Sequence, residues 1–451
     1  MIPDSLFEAA FAFRKTRLWH QLYDSQIFAL RHSDGTIGYC CIMGIMGEHL
    51  ALAVYPGEEG LAAYRRMGKD RSRLNEFELV EMMFSQSCVM CSFANKDDLR
   101  EKDLAGARAY AKANGIALRG SNAYPQFQDC KPGFYPWYLE EEKAQTYMLE
   151  GLRACLEVSR KLAGKNPDAL GFVDGAPFSH DIPLLKRKGR GWKWETHALP
   201  KPRPVAYPAV TVTDELRLER IRIAGLLKGN APAAPCADAP DGKAQPKDRQ
   251  PSRGRREPTG QEWACDVVMF PRAMRQPQDP NPDGGATEPR YAPYFPMALT
   301  VIEQQTRVIL CTVFNDNVEN YLPTFTDAIL NLLEEQGAPA HLYVRNDRAY
   351  ALFRELAQKL AIPLTQKKYL PVLTGYWKDL LAHTAQSGED EARRGAFSYL
   401  EMLSDPATLA SLPDAVFQEL VKTVLLETPA DLPCKLLSNL NAEQRRRTLR
   451  S

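Results

Sequence analysis

The sequence predicts two folded parts of different class, an α+β domain over residues 1–200 and an α/β domain over 263–385. Three observations carry that expectation. Apolar residues recur at a period of two in short runs and near 3.6 in longer ones. The order in which those runs alternate differs between the two halves, which separates the fold classes. Between the halves, 229–261 is made of Ala, Pro, Gly, Lys, Arg and Asp with almost no large apolar side chain. Such a stretch cannot bury enough surface to offset the entropy of ordering it. Residues 201–262 therefore read as a proline-rich flexible linker with one possible helix at Asp214–Leu227, and 386–451 as a helical tail.

In the first half, Asp4 or Ser5 can cap a helix whose apolar side runs through Leu6, Phe7, Ala10, Phe13, Leu18 and Leu22. Ile27–Arg31 and Thr36–Met43 flank Ser33-Asp34-Gly35, and Asp-Gly between apolar runs signals a hairpin. Leu50–Tyr55 is a third strand, followed by a helix around Leu61–Arg66. Glu76–Phe84 reads as helix, Ser87–Phe93 as strand and Asp97–Asn114 as helix, with Gly115 where a left-handed cap belongs. Tyr124–Tyr138, rich in aromatics and prolines, reads as an ordered irregular loop, and Leu139–Leu162 as a long amphipathic helix.

In the second half the spacing predicts strands at Ala264–Phe270, Met297–Glu303 and Arg307–Phe314, then a helix at Leu322–Gln336. A strand at Ala340–Arg345, a helix at Asp347–Leu360, a strand at Pro363–Gln366 and a helix at Thr374–Leu381 complete it. Three strands followed by alternating helix and strand resemble the order of a ribonuclease-H-like domain. Gly337-Ala338-Pro339 is similar to the step before the fourth strand of integrase cores. The weak joint is Pro271–Pro296, far longer than an ordinary hairpin loop.

Phe28-Ala29-Leu30, the run Asp34–Gly44, Glu48–Tyr55 and Gly60-Leu61 together resemble a bacterial domain of unknown function. Trp263–Val267, Tyr294-Phe295-Pro296 and Gly337-Ala338-Pro339 resemble a second uncharacterised bacterial domain. The resemblance implies no activity. Similar proteins sometimes carry a cysteine-rich zinc module, and no counterpart of its ligands is expected here, so no metal or other cofactor is implied.

Formal net charge is +1, from 57 basic and 56 acidic residues, so no global field points to nucleic acid or membrane. No apolar run reaches the roughly 20 residues that span a bilayer, and the N-terminus lacks the pattern of a secretory signal. With ten scattered cysteines, the expectation is a cytoplasmic, reduced protein without a membrane partner. Any protein or nucleic-acid partner needs a local patch.

Three constellations could carry chemistry. Cys88-Val89-Met90-Cys91 has metal or redox spacing, but zinc wants four ligands and the surrounding apolar residues favour packing in a strand. Lys186, Arg187, Lys188, Arg190 and Lys193 interleave with Trp192 and Trp194. That combination could track phosphates while stacking bases, or pin a strand to the domain surface. Arg445-Arg446-Arg447 reads as a solvated tail.

The third constellation is carboxylate. A two-metal nuclease needs acids converging from separate elements on a pair of ions. On the ribonuclease-H order the first strand offers Asp266, the first helix Asp327 or Glu334, the end of the fourth strand Asp347 and the last helix Asp379. Asp347 has a competing role as a helix cap. The favoured expectation is a non-catalytic binding or interaction protein on a degenerate ribonuclease-H-like scaffold. The alternative is a divalent-metal-dependent nuclease. Ligand sensing through the aromatic Tyr124–Tyr138 stretch is a third class.

Overall fold

The computed structural model holds most of the expected strands and helices and pairs the strands into two sheets, with strands at Tyr124–Cys130, Asp181–Lys188 and Gly191–Ala198 added to the expected set. It describes residues 2–45, 47, 49–68, 74–173, 181–203, 205–227, 260–276, 290–316, 318, 320–387, 409–410, 417, 443 and 446–447. Most of the expected linker core and of the expected helical tail lies outside the described residues. The chain divides into two units: Met1–Arg203 with Pro271–Tyr294 and Asp390–Ser451, and Pro204–Phe270 with Phe295–Glu389.

The first unit opens with α1 (Asp4–Thr16). Its N-cap is Pro3, not Asp4 or Ser5, and no side chain caps it. Asp4 instead sits in the first turn, where its negative charge complements the positive end of the helix dipole. The hairpin of β1 (Phe28–Arg31) and β2 (Ile37–Met43) follows, then β3 (Ala51–Pro56) and α2 (Gly57–Met67). Next come α3 (Glu76–Phe84), β4 (Cys88–Ala94) and α4 (Glu101–Ala113). The expected helix from Asp97 is a 3-10 turn at Lys96–Asp98 followed by α4. Gly115 has φ +62°, and Ile116 N–H closes on Ala111 O at 2.9 Å, ending α4 as expected.

Tyr124–Tyr138 is not an irregular loop. It forms β5 (Tyr124–Cys130) and a short β6 (Trp137–Tyr138) before α5 (Glu142–Leu162). Pro125 hides this strand, because proline cannot donate to a ladder. Here it costs nothing. Pro125 stands opposite Phe93, whose own N–H turns away to Leu50 O at 2.9 Å. The missing donor thus faces the side where β6 reaches only Gln128 and Asp129. A hairpin of β7 (Asp181–Lys188) and β8 (Gly191–Ala198) completes an eight-stranded sheet ordered β6-β5-β4-β3-β2-β1-β7-β8. All neighbours are antiparallel except β1 and β7.

Both faces of this sheet are covered, so alternate residues feed two cores. Cys40, Ile42, Leu52, Val54, Val89, Cys91 and Phe93 join residues of α1 and α5 on one face. Tyr39, Cys41, Ala53, Tyr55 and Cys88 meet Leu61 and Ala63 of α2 on the other.

The second unit holds α6 (Glu215–Leu227), β9 (Glu262–Met269), β10 (Met297–Glu303), β11 (Ile309–Asn315), α7 (Leu322–Gln336) and β12 (His341–Val344). It ends with α8 (Asp347–Lys359), β13 (Leu364–Gln366) and α9 (Pro371–Ser387). The sheet order is β11-β10-β9-β12-β13. The pairs β9–β10 and β10–β11 are antiparallel, whereas β9–β12 and β12–β13 are parallel. Met269 pairs directly with Met297, so the long Pro271–Pro296 connection does not disturb the register.

Central position explains composition. Strands β9 and β10 are buried almost end to end and read as continuous apolar runs. Gly337, at φ +77°, also has a packing reason: a Cβ there would lie 2.5 Å from the Cα of Gly225 in α6. Two glycines let the α7–β12 turn touch the α6 backbone. Arg217 of α6 adds polar contacts to Glu334 at 2.9 Å and Asn331 at 2.6 Å.

Candidate functional site

Asp266 lies in the middle of β9, the central strand of the second sheet, and is 0% exposed. A bare carboxylate in that position would be very costly, so its partners define the site. Arg345 Nη2, just past β12, is 2.6 Å from Oδ2. Trp377 Nε1–H of α9 donates to the same oxygen at 3.0 Å. Asn346 Nδ2 donates to Oδ1 at 2.8 Å and to Val267 O at 3.0 Å. Burial pushes the Asp266 carboxyl up from its ordinary range, while the Arg345 charge and the Trp377 donor pull it down. All three partners donate and none accepts, which suits the ionised form.

The other carboxylates have different neighbours. Glu334 is held by Arg217. Asp347 Oδ1 accepts from Gln366 Nε2 at 2.8 Å. The α8 cap is Asn346, whose Oδ1 accepts from Ala349 N–H at 2.9 Å, so Asp347 is the first helical residue and not the cap. Asp327 and Asp379 are exposed on α7 and α9. Among the described residues no group of three or more His, Cys, Asp or Glu side chains is placed to hold a metal ion. Sequence reasoning missed Arg345 and Trp377. The available signal was Arg345-Asn346-Asp347, a polar run straight after a buried strand.

The basic–aromatic segment is the β7–β8 hairpin, with β8 on the edge of the first sheet. Trp192 and Trp194 are half-buried against the core, and Trp194 Nε1–H donates to Glu157 at 3.3 Å. Lys186 and Lys193 both reach Glu195 at 2.7 Å and hold its carboxyl down at about 2. Arg187 lies over the Trp192 ring at 5.0 Å, and Lys188 and Arg190 are exposed at the tip. The indoles therefore serve packing while part of the cation set faces solvent.

Cys88 and Cys91 belong to opposite faces of β4, one in each core, so they cannot ligate one ion together. The arginines near the end of the sequence are not a plain solvated tail. Arg446 and Arg447 both bond Glu443, and Arg447 lies 4.2 Å from the Phe417 ring centroid.

Two further features remain, the first without a sequence signature and the second walled partly by the aromatic Tyr124–Tyr138 stretch. Nδ1 of His32 is 2.7 Å from Glu150 Oε2, and its ring lies tilted against Tyr147 at 4.3 Å between centroids; the Tyr147 hydroxyl donates to Asp34 at 2.7 Å. This cluster ties the β1–β2 turn to α5. The His32 side chain is fully buried, and its Nε2 faces Gly38, where a Cβ would come within 2.3 Å. Burial holds its pKa below the ordinary histidine value against the pull of Glu150. The second feature is a cavity of about 420 Å³ in the first unit, walled in part by Asp129, Tyr135, Trp137, Tyr138 and Tyr291. Arg100 stacks on Trp137 and Tyr138 at 4.7 and 4.0 Å.

The molecule is thus a mixed α/β protein with two sheets, and no helix among the described residues is long and apolar enough to cross a membrane. Two family models match it, each described as a domain of unknown function: DUF7309 over residues 4–176 and DUF6930 over residues 252–381. No curated protein and no solved structure matches the chain.

Replacing Arg345 by Met leaves the Asp266 charge buried beside neutral donors, so it should cost about 3–5 kcal/mol in urea unfolding. Adding Asp266→Asn to that variant should recover at least half of the loss. The unfolded chain takes up a proton on His32 near pH 6.5 while the folded chain resists it, so stability should fall as pH drops below that value. His32→Gln should flatten that part of a stability–pH curve; an unchanged slope refutes the assignment.

Proposed function

We propose that this is a cytoplasmic bacterial protein with a non-catalytic binding role, built partly on a ribonuclease-H-like scaffold withdrawn from metal chemistry. The strand order of the second sheet supports the scaffold reading. Counted along the chain its strands lie third, second, first, fourth, fifth, with the second antiparallel to its neighbours. Helices follow the third, fourth and fifth strands.

The Asp266 cage carries the functional reading. In this arrangement the first strand would offer the first ligand for a divalent ion. Arg345 already supplies the positive charge there, and Asn346 and Trp377 take up further acceptor sites. A divalent ion would face a guanidinium at contact distance and an acid enclosed in protein. These residues do not fit a metal pair.

Single- and double-stranded DNA, RNA and an RNA–DNA hybrid, incubated with Mg²⁺ or Mn²⁺, should all survive the purified full chain. Cleavage that disappears in a folded Asp266→Asn variant would establish the nuclease alternative.

The β7–β8 hairpin favours nucleic acid as the bound partner, because Lys188 and Arg190 project beside half-exposed indoles. Binding of a labelled single-stranded oligonucleotide should weaken in Lys188→Glu plus Arg190→Glu. Each lost phosphate contact should lower the salt slope by roughly 0.7. Equal affinity and slope in the double variant would remove the hairpin from the interface.

A further inference from the structure

We propose that Cys88 and Cys130 form an oxidation site, a reversible cross-strand disulfide joining β4 to β5. The two residues stand directly opposite each other in the antiparallel register. Opposed residues in such a ladder have Cα atoms about 4.5–5.5 Å apart, inside the roughly 4.4–6.8 Å that a disulfide spans. Their side chains point to the same face and pack in the same core.

No other described cysteine competes for Cys88. Cys91 is closer in sequence but lies on the opposite face of the sheet. Cys41 shares the face, yet it belongs to β2, with β3 between it and β4. Two strand spacings put it about 9–10 Å away sideways, past the roughly 7 Å beyond which backbone would have to move. The spacing Cys88-x-x-Cys91 therefore misleads, and the partner comes from across the sheet.

Access is the controlling step. The two residues are 5% and 7% exposed. The Cys130 contact and burial both push the Cys88 thiol up, so thiolate is scarce in the closed state. However, Cys88 begins β4 and Cys130 ends β5, so fraying at one end of the ladder exposes both. Once open, the Cys88 thiolate attacks one sulfur of a small disulfide such as oxidised glutathione and expels one thiolate. The Cys130 thiolate then attacks the Cys88 sulfur of the mixed disulfide and expels the second. The protein loses two electrons and two protons, and the oxidant becomes two thiols.

The folded full chain should be equilibrated in buffers of increasing oxidised-to-reduced glutathione ratio, quenched in acid, alkylated in denaturant and mapped by peptide mass. The expected product joins the peptides of Cys88 and Cys130, reverts with dithiothreitol and raises the melting midpoint by roughly 5–10 °C. Cys91→Ser should keep that cross-link and Cys130→Ser should lose it. Should a serine variant fail to fold, the wild-type map decides alone. A cross-link from Cys88 to Cys91 or any other cysteine, or two alkylated thiols at the most oxidising ratio, overturns the assignment.

Discussion

The buried charge of Asp266 organises the second unit. Its partners are the adjacent Arg345 and Asn346 between β12 and α8, and Trp377 of α9, so one carboxylate joins three regions remote in sequence. Asn346 acts twice, donating to Asp266 and Val267 while accepting from the first turn of α8. A charge in that position tolerates little rearrangement, because each missing donor leaves desolvation uncompensated. The same closure that makes the cage a good structural element makes it a poor metal site. An acid that must accept from three fixed donors has little capacity left for a hard cation.

The first unit is held differently. Its sheet is apolar on both faces, and no single interaction dominates. Polar contacts gather at margins, as where His32, Tyr147, Asp34 and Glu150 fasten a turn to α5. Cysteines serve as small core residues there, three on each face: Cys40, Cys91 and Cys155 on one, Cys41, Cys88 and Cys130 on the other.

Legibility in the sequence followed the range of the interaction. The strands from Ala264 to Phe314 and the helices of the second half were readable because their periods are local. The Asp-Gly hairpin and the Gly115 cap were readable for the same reason. The strand at Tyr124–Cys130 was obscured by Pro125, whose acceptability depends on where the Phe93 N–H points, a fact of sheet geometry. Asp266 could be named as special, since an acid in an apolar run stands out. Its partners could not be named, because nothing local to Asp266 announces Arg345 and Trp377. The Cys88-x-x-Cys91 spacing cannot show that Cys88 stands opposite Cys130 while Cys91 faces the other core, because spacing along a chain is blind to register across a sheet.

The parallel pairing of β1 with β7 sets where this unit can be cut. Strand β1 lies inside the sheet only because residues Asp181–Lys188 return to cover it. The family match over residues 4–176 ends before that strand. A fragment trimmed to the match would present β1 as a bare edge with its backbone groups unpaired, inviting strands from other molecules. The natural boundary of the folding unit lies beyond Ala198, and a ribosome must release β7, about 150 residues after β1, before the first hairpin is sealed.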